Sequence, residues 1–128
     1  MIPDKFEDLL YSTALAHVAT VGPKGEPQNN PVWFDWDGER IRFSQLPIRQ
    51  KYRNLQREPR VALSIVDPQN PYRYLEVRGV VERVDEDRNY EFINKMAKKY
   101  TGQDTYGGDP GEGRVVVVIR PEHTTHMG

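Results

Sequence analysis

The chain has 128 residues, 18 basic and 19 acidic, with a formal net charge of −1. That length suits a single domain, residues 1–128, and the near-cancelled charge leaves no global attraction for nucleic acid or an acidic membrane, so any basic site must be local. Cysteine is absent, which excludes a disulfide framework, a Cys-ligated metal centre and thiolate chemistry and suits a reducing cytoplasm.

The opening "MIPDKFEDLLYS" is charged and amphipathic, with no apolar run of signal-peptide length. Nothing further along approaches the roughly 20 apolar residues of a membrane span, so the reading is a soluble cytoplasmic protein. Phe6, Leu9 and Leu10 recur at i, i+3, i+4 after Asp4 and predict a short first helix. "LAHVATV", Leu15 to Val21, is small, apolar and β-branched and ends at the turn "GPKGEP". In "PVWFDW" Val32, Phe34 and Trp36 share one face and Trp33 and Asp35 the other, and Asp37-Gly38 turns that strand into "ERIRFS".

Pro47 then opens a basic helix with Ile48, Tyr52 and Leu55 as its apolar stripe, and Pro59 stops it before the strand "RVALSIV". "YRYLEVRGVVERVD" alternates, with Leu75, Val77, Gly79 and Val81 on one face and Tyr74, Glu76, Arg78 and Val80 on the wet one. A third helix runs through Tyr90, Ile93, Met96 and Ala97; a flexible "TGQDTYGGDPGEG" leads into the last strand, "RVVVVIRP". "VALSIV" and "VVVVI" are apolar on both faces, whereas a six-stranded antiparallel barrel covers only the inner one. The outer face is covered either by a second copy of the chain in a two-fold dimer or by the three helices alone.

Arg49, Lys51 and Arg53 fall in the first turns of the basic helix, just after Ser44 ends a strand. Backbone N–H groups and the macrodipole favour an anion there, and Arg, Lys and Ser together suit phosphate oxygens. The same pattern also describes a solvated helix face of exposed cations, with Glu58 balancing part of the charge. His17 lies inside an apolar strand, and His123 and His126 form "HTTH" in a tail after the last strand, which makes no metal site. "VWFDW" and the tyrosines admit a rival reading as stacking platforms for single-stranded nucleic acid, although Val32, Phe34 and Trp36 share a face as core residues would.

The order of these segments resembles a known family. "ATVGPKGEPQNNPVWF", the "DG" hairpin, "FSQLPIRQKYRNLQREPRVAL" and "NPYRYLEVRGVVE" are similar to the split β-barrel flavin and deazaflavin oxidoreductases related to pyridoxamine 5′-phosphate oxidase, above all to the branch that uses coenzyme F-420. The resemblance runs from about Leu15 to Pro121. It implies a mainly β fold, a six-stranded antiparallel split barrel with about three short helices, paired as a homodimer. It further implies that the cofactor phosphate meets Ser44, Arg49 and Lys51, that the tricyclic ring lies along Pro31, Val32 and Trp33, and that Tyr72 and Tyr74 come from the partner subunit. Arg53, with Lys24, Arg57 and Arg73, is a candidate for the acidic tail of a deazaflavin, and Asn30 stands beside the expected ring edge.

Coenzyme F-420 is the expected cofactor and FMN the alternative; haem would need an axial ligand, and no histidine falls in the segments that line the groove. The implied reaction is hydride transfer to or from a conjugated small molecule, in which positioning matters more than a nucleophile. Solvent, Lys51 or Tyr74 would supply a proton, and Asn30 would hydrogen-bond cofactor or substrate. A cofactor-binding protein without turnover stays open beside the enzyme.

Overall fold

Turn chemistry sets where the strands begin in the computed structural model, which describes residues 1–128. Gly25, at φ 82°, reverses the chain between β1 (Ala16–Val21) and β2 (Pro27–Val32), and Gly38, at φ 98°, does so between β3 (Asp35–Trp36) and β4 (Ile41–Gln45). Pro68 and Gln69 link β5 (Arg60–Asp67) to the long β6 (Asn70–Glu86), and β7 (Val115–Met127) closes the set. All neighbours pair antiparallel, in the order β2-β1-β5-β6-β7-β4-β3.

The sheet has seven strands where the sequence predicts six. "PVWFDW" is not one strand: it ends β2 at Val32, steps across Trp33 and Phe34, and resumes as β3. The predicted alternation survives the step, since Val32, Phe34 and Trp36 all pack in the main core. What changes is the partner strand, from β1 to β4, and side-chain periodicity carries no signal of that. The first and last strands of the sheet are therefore consecutive in the chain, and the barrel is split between them.

β7 also runs further than expected. "HTTH" is strand, not tail: His123 pairs opposite Arg78 and His126 opposite Leu75, and the His126 ring lies 4.9 Å from that of Phe6. β6 shifts register against β7 at Arg78/Gly79, and a Cβ at Gly79 would collide with the Arg120 carbonyl oxygen.

The main core gathers Phe6, Leu9 and Leu10 from α1 (Glu7–Tyr11) and its preceding 3₁₀ turn against Val18, Phe43, Leu63, Ile65, Leu75, Val117 and Ile119. A second cluster lies on the other face of β7, where Phe92, Ile93 and Met96 of α3 (Glu91–Thr101) cover Val116 and Val118. Each such buried side chain contributes about 1.5–3 kcal/mol. Both faces of "VVVVI" are thus covered within one chain, and for β7 the helix alternative holds, with α3 as the outer cover. β5 differs: Val61, Leu63 and Ile65 point inward, while Ala62, Ser64 and Val66 on the outer face stay half-exposed.

The basic helix, α2 (Gln50–Arg57), starts later than Pro47 suggests. Leu46 to Arg49 form a turn, closed by Arg49 N–H donating to the Leu46 carbonyl at 3.0 Å, and extended Arg49 is the N-cap. Ile48 is left 78% exposed, so the inward face is Lys51, Asn54 and Leu55, not Ile48, Tyr52 and Leu55. No helix is long and apolar enough to cross a membrane.

Candidate functional site

The split in the barrel opens into a pocket of about 340 Å³, bounded by the end of β2, the end of β4, the first turn of α2, α3 and the segment before β7. One end is cationic. Lys51, the second residue of α2, is buried to 7% exposure with its ammonium 5.7 Å over the Phe43 ring, and no carboxylate pairs with it. Burial, reinforced by the Arg49 charge, pushes its pKa down to about 8. Beside it Ser44 Oγ accepts a hydrogen bond from Arg114 Nη1 at 2.9 Å, which leaves the serine O–H free to donate. Arg114 also donates to the Pro110 carbonyl at 2.6 Å and lies 5.5 Å over the Tyr106 ring.

A neighbouring wall is apolar and aromatic. Trp33 stacks on Tyr100 with centroids 5.3 Å apart and planes 6° from parallel, while Tyr106 meets it edge-on at 6.1 Å. Val32, Ile93 and Met96 complete that wall. Tyr100 Oη accepts the Phe34 N–H at 3.2 Å and donates to the Ala14 carbonyl at 2.7 Å, so it pins the backbone beside Trp33. Burial pushes its phenol up to about 12. Lys99 Nζ donates to the Phe34 carbonyl at 2.7 Å, and burial lowers its pKa to about 8. Below them Asp35, itself buried, receives both arms of Arg42 at 2.6 and 2.9 Å and Lys95 at 3.1 Å, which raises the Arg42 pKa.

Of the residues singled out from sequence, Pro31, Val32, Trp33, Ser44 and Lys51 line this one pocket. Arg49 and Arg53 are exposed and lie outside its walls. Lys51 is not the exposed helix-face cation that the pattern suggests, because α2 turns that position toward the sheet. Two candidates for an acidic tail are already engaged: Arg73 pairs with Asp8 at 2.6 Å and Asp67 at 3.0 Å, and Arg57 donates to the Val21 carbonyl. Tyr72, exposed, and Tyr74, half-buried, sit near the β5–β6 turn and line no part of the pocket in their own chain.

Asn30 is half-buried two residues before Val32, with its Oδ1 accepting from Gln28 Nε2 at 2.7 Å. Sequence reasoning missed Tyr106 and Arg114. The only aromatic in a Gly-rich segment and the arginine that ends it were the available signals. That segment is also tied down, by Tyr106 N–H to Asn94 Oδ1 at 2.9 Å and Tyr90 Oη to the Gly111 carbonyl at 2.9 Å.

A split barrel with a cationic end and an aromatic wall in one pocket is the frame expected of the split-barrel flavin and deazaflavin oxidoreductases. The chain belongs to the pyridoxamine 5′-phosphate oxidase family, whose model matches residues 2–128. Among solved structures it is similar to an F-420 reductase, at 44% identity with a TM-score of 0.87, covering 97% of this chain and 98% of that one. A conserved hypothetical protein from Mycobacterium tuberculosis matches at 26% identity and TM-score 0.76, covering 99% of this chain and 84% of that one. General Stress Protein 26 from Bacillus anthracis shares the fold at 16% identity and TM-score 0.74, covering 97% and 92%. No match is found among curated proteins.

Proposed function

We propose that the protein is a coenzyme F-420-dependent oxidoreductase, exchanging a hydride between the deazaflavin and a conjugated small molecule, and that it works as a two-fold homodimer. The observation that carries this reading is Lys51, a buried cation without a carboxylate partner, facing a pocket whose other wall is the Trp33 plane. A lone buried ammonium is costly, and an anionic ligand group would offset that cost. The 44% identity to an F-420 reductase across nearly the whole chain supports the deazaflavin over FMN.

In this reading Lys51, the Ser44 hydroxyl and Arg114 hold the phosphate, with Arg49 at the helix N-cap adding charge at the entrance. Arg53 lies nearby for a longer acidic tail. Pro31, Val32 and Trp33 carry the ring, and the bound deazaflavin supplies hydride chemistry at its C5. Trp33, Met96 and Tyr106 fix the plane and exclude water, which is most of what such a step asks of a protein. Tyr72 and Tyr74 would enter the partner's site across the half-exposed outer face of β5 and β6.

Fluorescence titration of the purified protein with coenzyme F-420 and, separately, FMN tests the proposal. Tight, preferential binding of the deazaflavin is expected; preferential FMN binding would overturn the cofactor assignment.

A further inference from the structure

Five side chains run head to tail from the surface of α2 to the edge of β2. Arg53 Nη2 donates to Gln50 Oε1 at 2.6 Å, and Gln50 Nε2 donates to Asn54 Oδ1 at 2.8 Å. Asn54 Nδ2 donates to Gln28 Oε1 at 3.1 Å and to Thr20 Oγ1 at 3.0 Å, and Gln28 Nε2 donates to Asn30 Oδ1 at 2.7 Å. An amide can face either way, so a chain of them alone has no preferred sense. This one is anchored: guanidinium can only donate, and a reversed Gln50 would set N–H against N–H. Asn54 has zero exposure, so water cannot satisfy it in any other arrangement.

The consequence falls on Asn30. Its oxygen is turned to Gln28, from which it accepts, so its Nδ2, which makes no bond within the chain, faces the other way. Asn30 does not itself line the pocket, but it shares its strand face with Val32, which does as part of the Pro31–Trp33 wall, about 6.5 Å further along β2. We infer that Asn30 is a dedicated hydrogen-bond donor to an oxygen acceptor, a carbonyl or enolate oxygen of the ring bound at that wall, and that the amide relay from Arg53 sets this polarity. Gln28, Gln50 and Asn54 are positioning residues. The inference rests on the proposed function for the identity of the ring, whereas the polarity of Asn30 stands by itself.

The test reverses Asn30 without touching it. In Gln28→Glu the carboxylate accepts from Asn54 and presents its second oxygen to Asn30, which must flip to donate and then shows its own oxygen to the pocket. Asn54→Asp reverses Gln28 and Asn30 in turn and serves as the second variant should the first fold poorly.

Two readouts apply. In the free protein the Asn30 side-chain amide protons, followed by 15N–1H NMR, should exchange fast in the wild type and be protected in Gln28→Glu. At saturation with FMN or the deazaflavin, the ring's absorption band should move in Gln28→Glu and equally in Asn30→Asp, with affinity falling about tenfold in both. Asn30→Leu, which removes the donor without adding a charge, should move the band as well and so separates the lost hydrogen bond from the field of a new carboxylate. Unchanged Asn30 exchange in both relay variants overturns the relay. A wild-type band in Asn30→Asp overturns the role of Asn30. If the wild type binds neither cofactor, the functional reading and the ring assignment fail together, and the exchange data alone decide the polarity.

Discussion

Trp33 and Tyr100 lie stacked 5.3 Å apart, 66 residues of chain bringing the end of β2 and the end of α3 into parallel planes. The phenol of Tyr100 also bonds backbone groups of Phe34 and Ala14, so one α3 side chain fixes both the tryptophan plane and the strand that carries it. Tyr100→Phe keeps the stack and orphans those groups; a loss of about 1–3 kcal/mol is expected in urea unfolding. Tyr100→Ala should lose more and should also abolish the near-UV circular dichroism of Trp33. A Tyr100→Ala protein with wild-type stability and spectrum would refute this.

Lys51 should make the empty fold less stable and the loaded one tighter. Its native pKa of about 8 lies below the ordinary 10.5, so between those values the unfolded chain binds more protons and stability rises with pH; below about 8 the penalty is constant. Lys51→Met removes the penalty. The apo-protein should gain on the order of 1 kcal/mol at pH 7, with the advantage vanishing above about pH 10.5. Cofactor affinity should fall tenfold to a hundredfold, an effect of about 1.5–3 kcal/mol from a lost charge-assisted contact. In the wild type, affinity should decline as pH rises through about 8, because the amine then loses the proton the phosphate needs. Unfolding curves and titrations at pH 7 and above measure both arms; a less stable apo Lys51→Met would contradict the burial argument.

Arg114 supplies a second cation to the same end while holding Ser44. Arg114→Gln should weaken FMN or deazaflavin binding about tenfold, yet leave riboflavin, which lacks the phosphate, bound as in the wild type. Equal losses for both ligands would make Arg114 a support of the pocket walls instead.

The dimer is tested on β5. Ala62, on the half-exposed outer face opposite Ala19 and Arg78, can take a charge without entering the core. Ala62→Glu should leave a folded monomer in sedimentation velocity, where the wild type should sediment as a dimer. A wild-type monomer would remove the partner's Tyr72 and Tyr74 from the site.

Much of the fold was legible in periodicity, because side-chain alternation reports which face is buried. The alternation of Val32, Phe34 and Trp36, the Asp37-Gly38 hairpin and the long alternating β6 all came through. The break at Trp33–Phe34 did not, since a strand can change partners without changing its alternation. The outer cover of Val116 and Val118 stayed undecided between helix and second copy for a related reason: an apolar face shows that something covers it, not what. In the site, Ser44 and Lys51 were readable from local charge at a helix start, and the Pro31–Trp33 wall only through the family resemblance. Arg114 and Tyr106 arrive from 70 residues away, and the amide relay is invisible in sequence because its meaning lies in the direction of each bond.

The sheet begins and ends at Trp33 and Phe34, and this has a consequence for how the molecule comes into being. Two bare strand edges, the outer sides of β2 and β3, are created by the first 45 residues, while the groups that stitch their junction, Lys99 and Tyr100, arrive late in synthesis. Unpaired edges are templates for other chains. A growing polypeptide therefore carries these edges with their junction unstitched until Lys99 and Tyr100 have been made. The seam where a ligand would enter is also the place where an unfinished copy would stick to its neighbour.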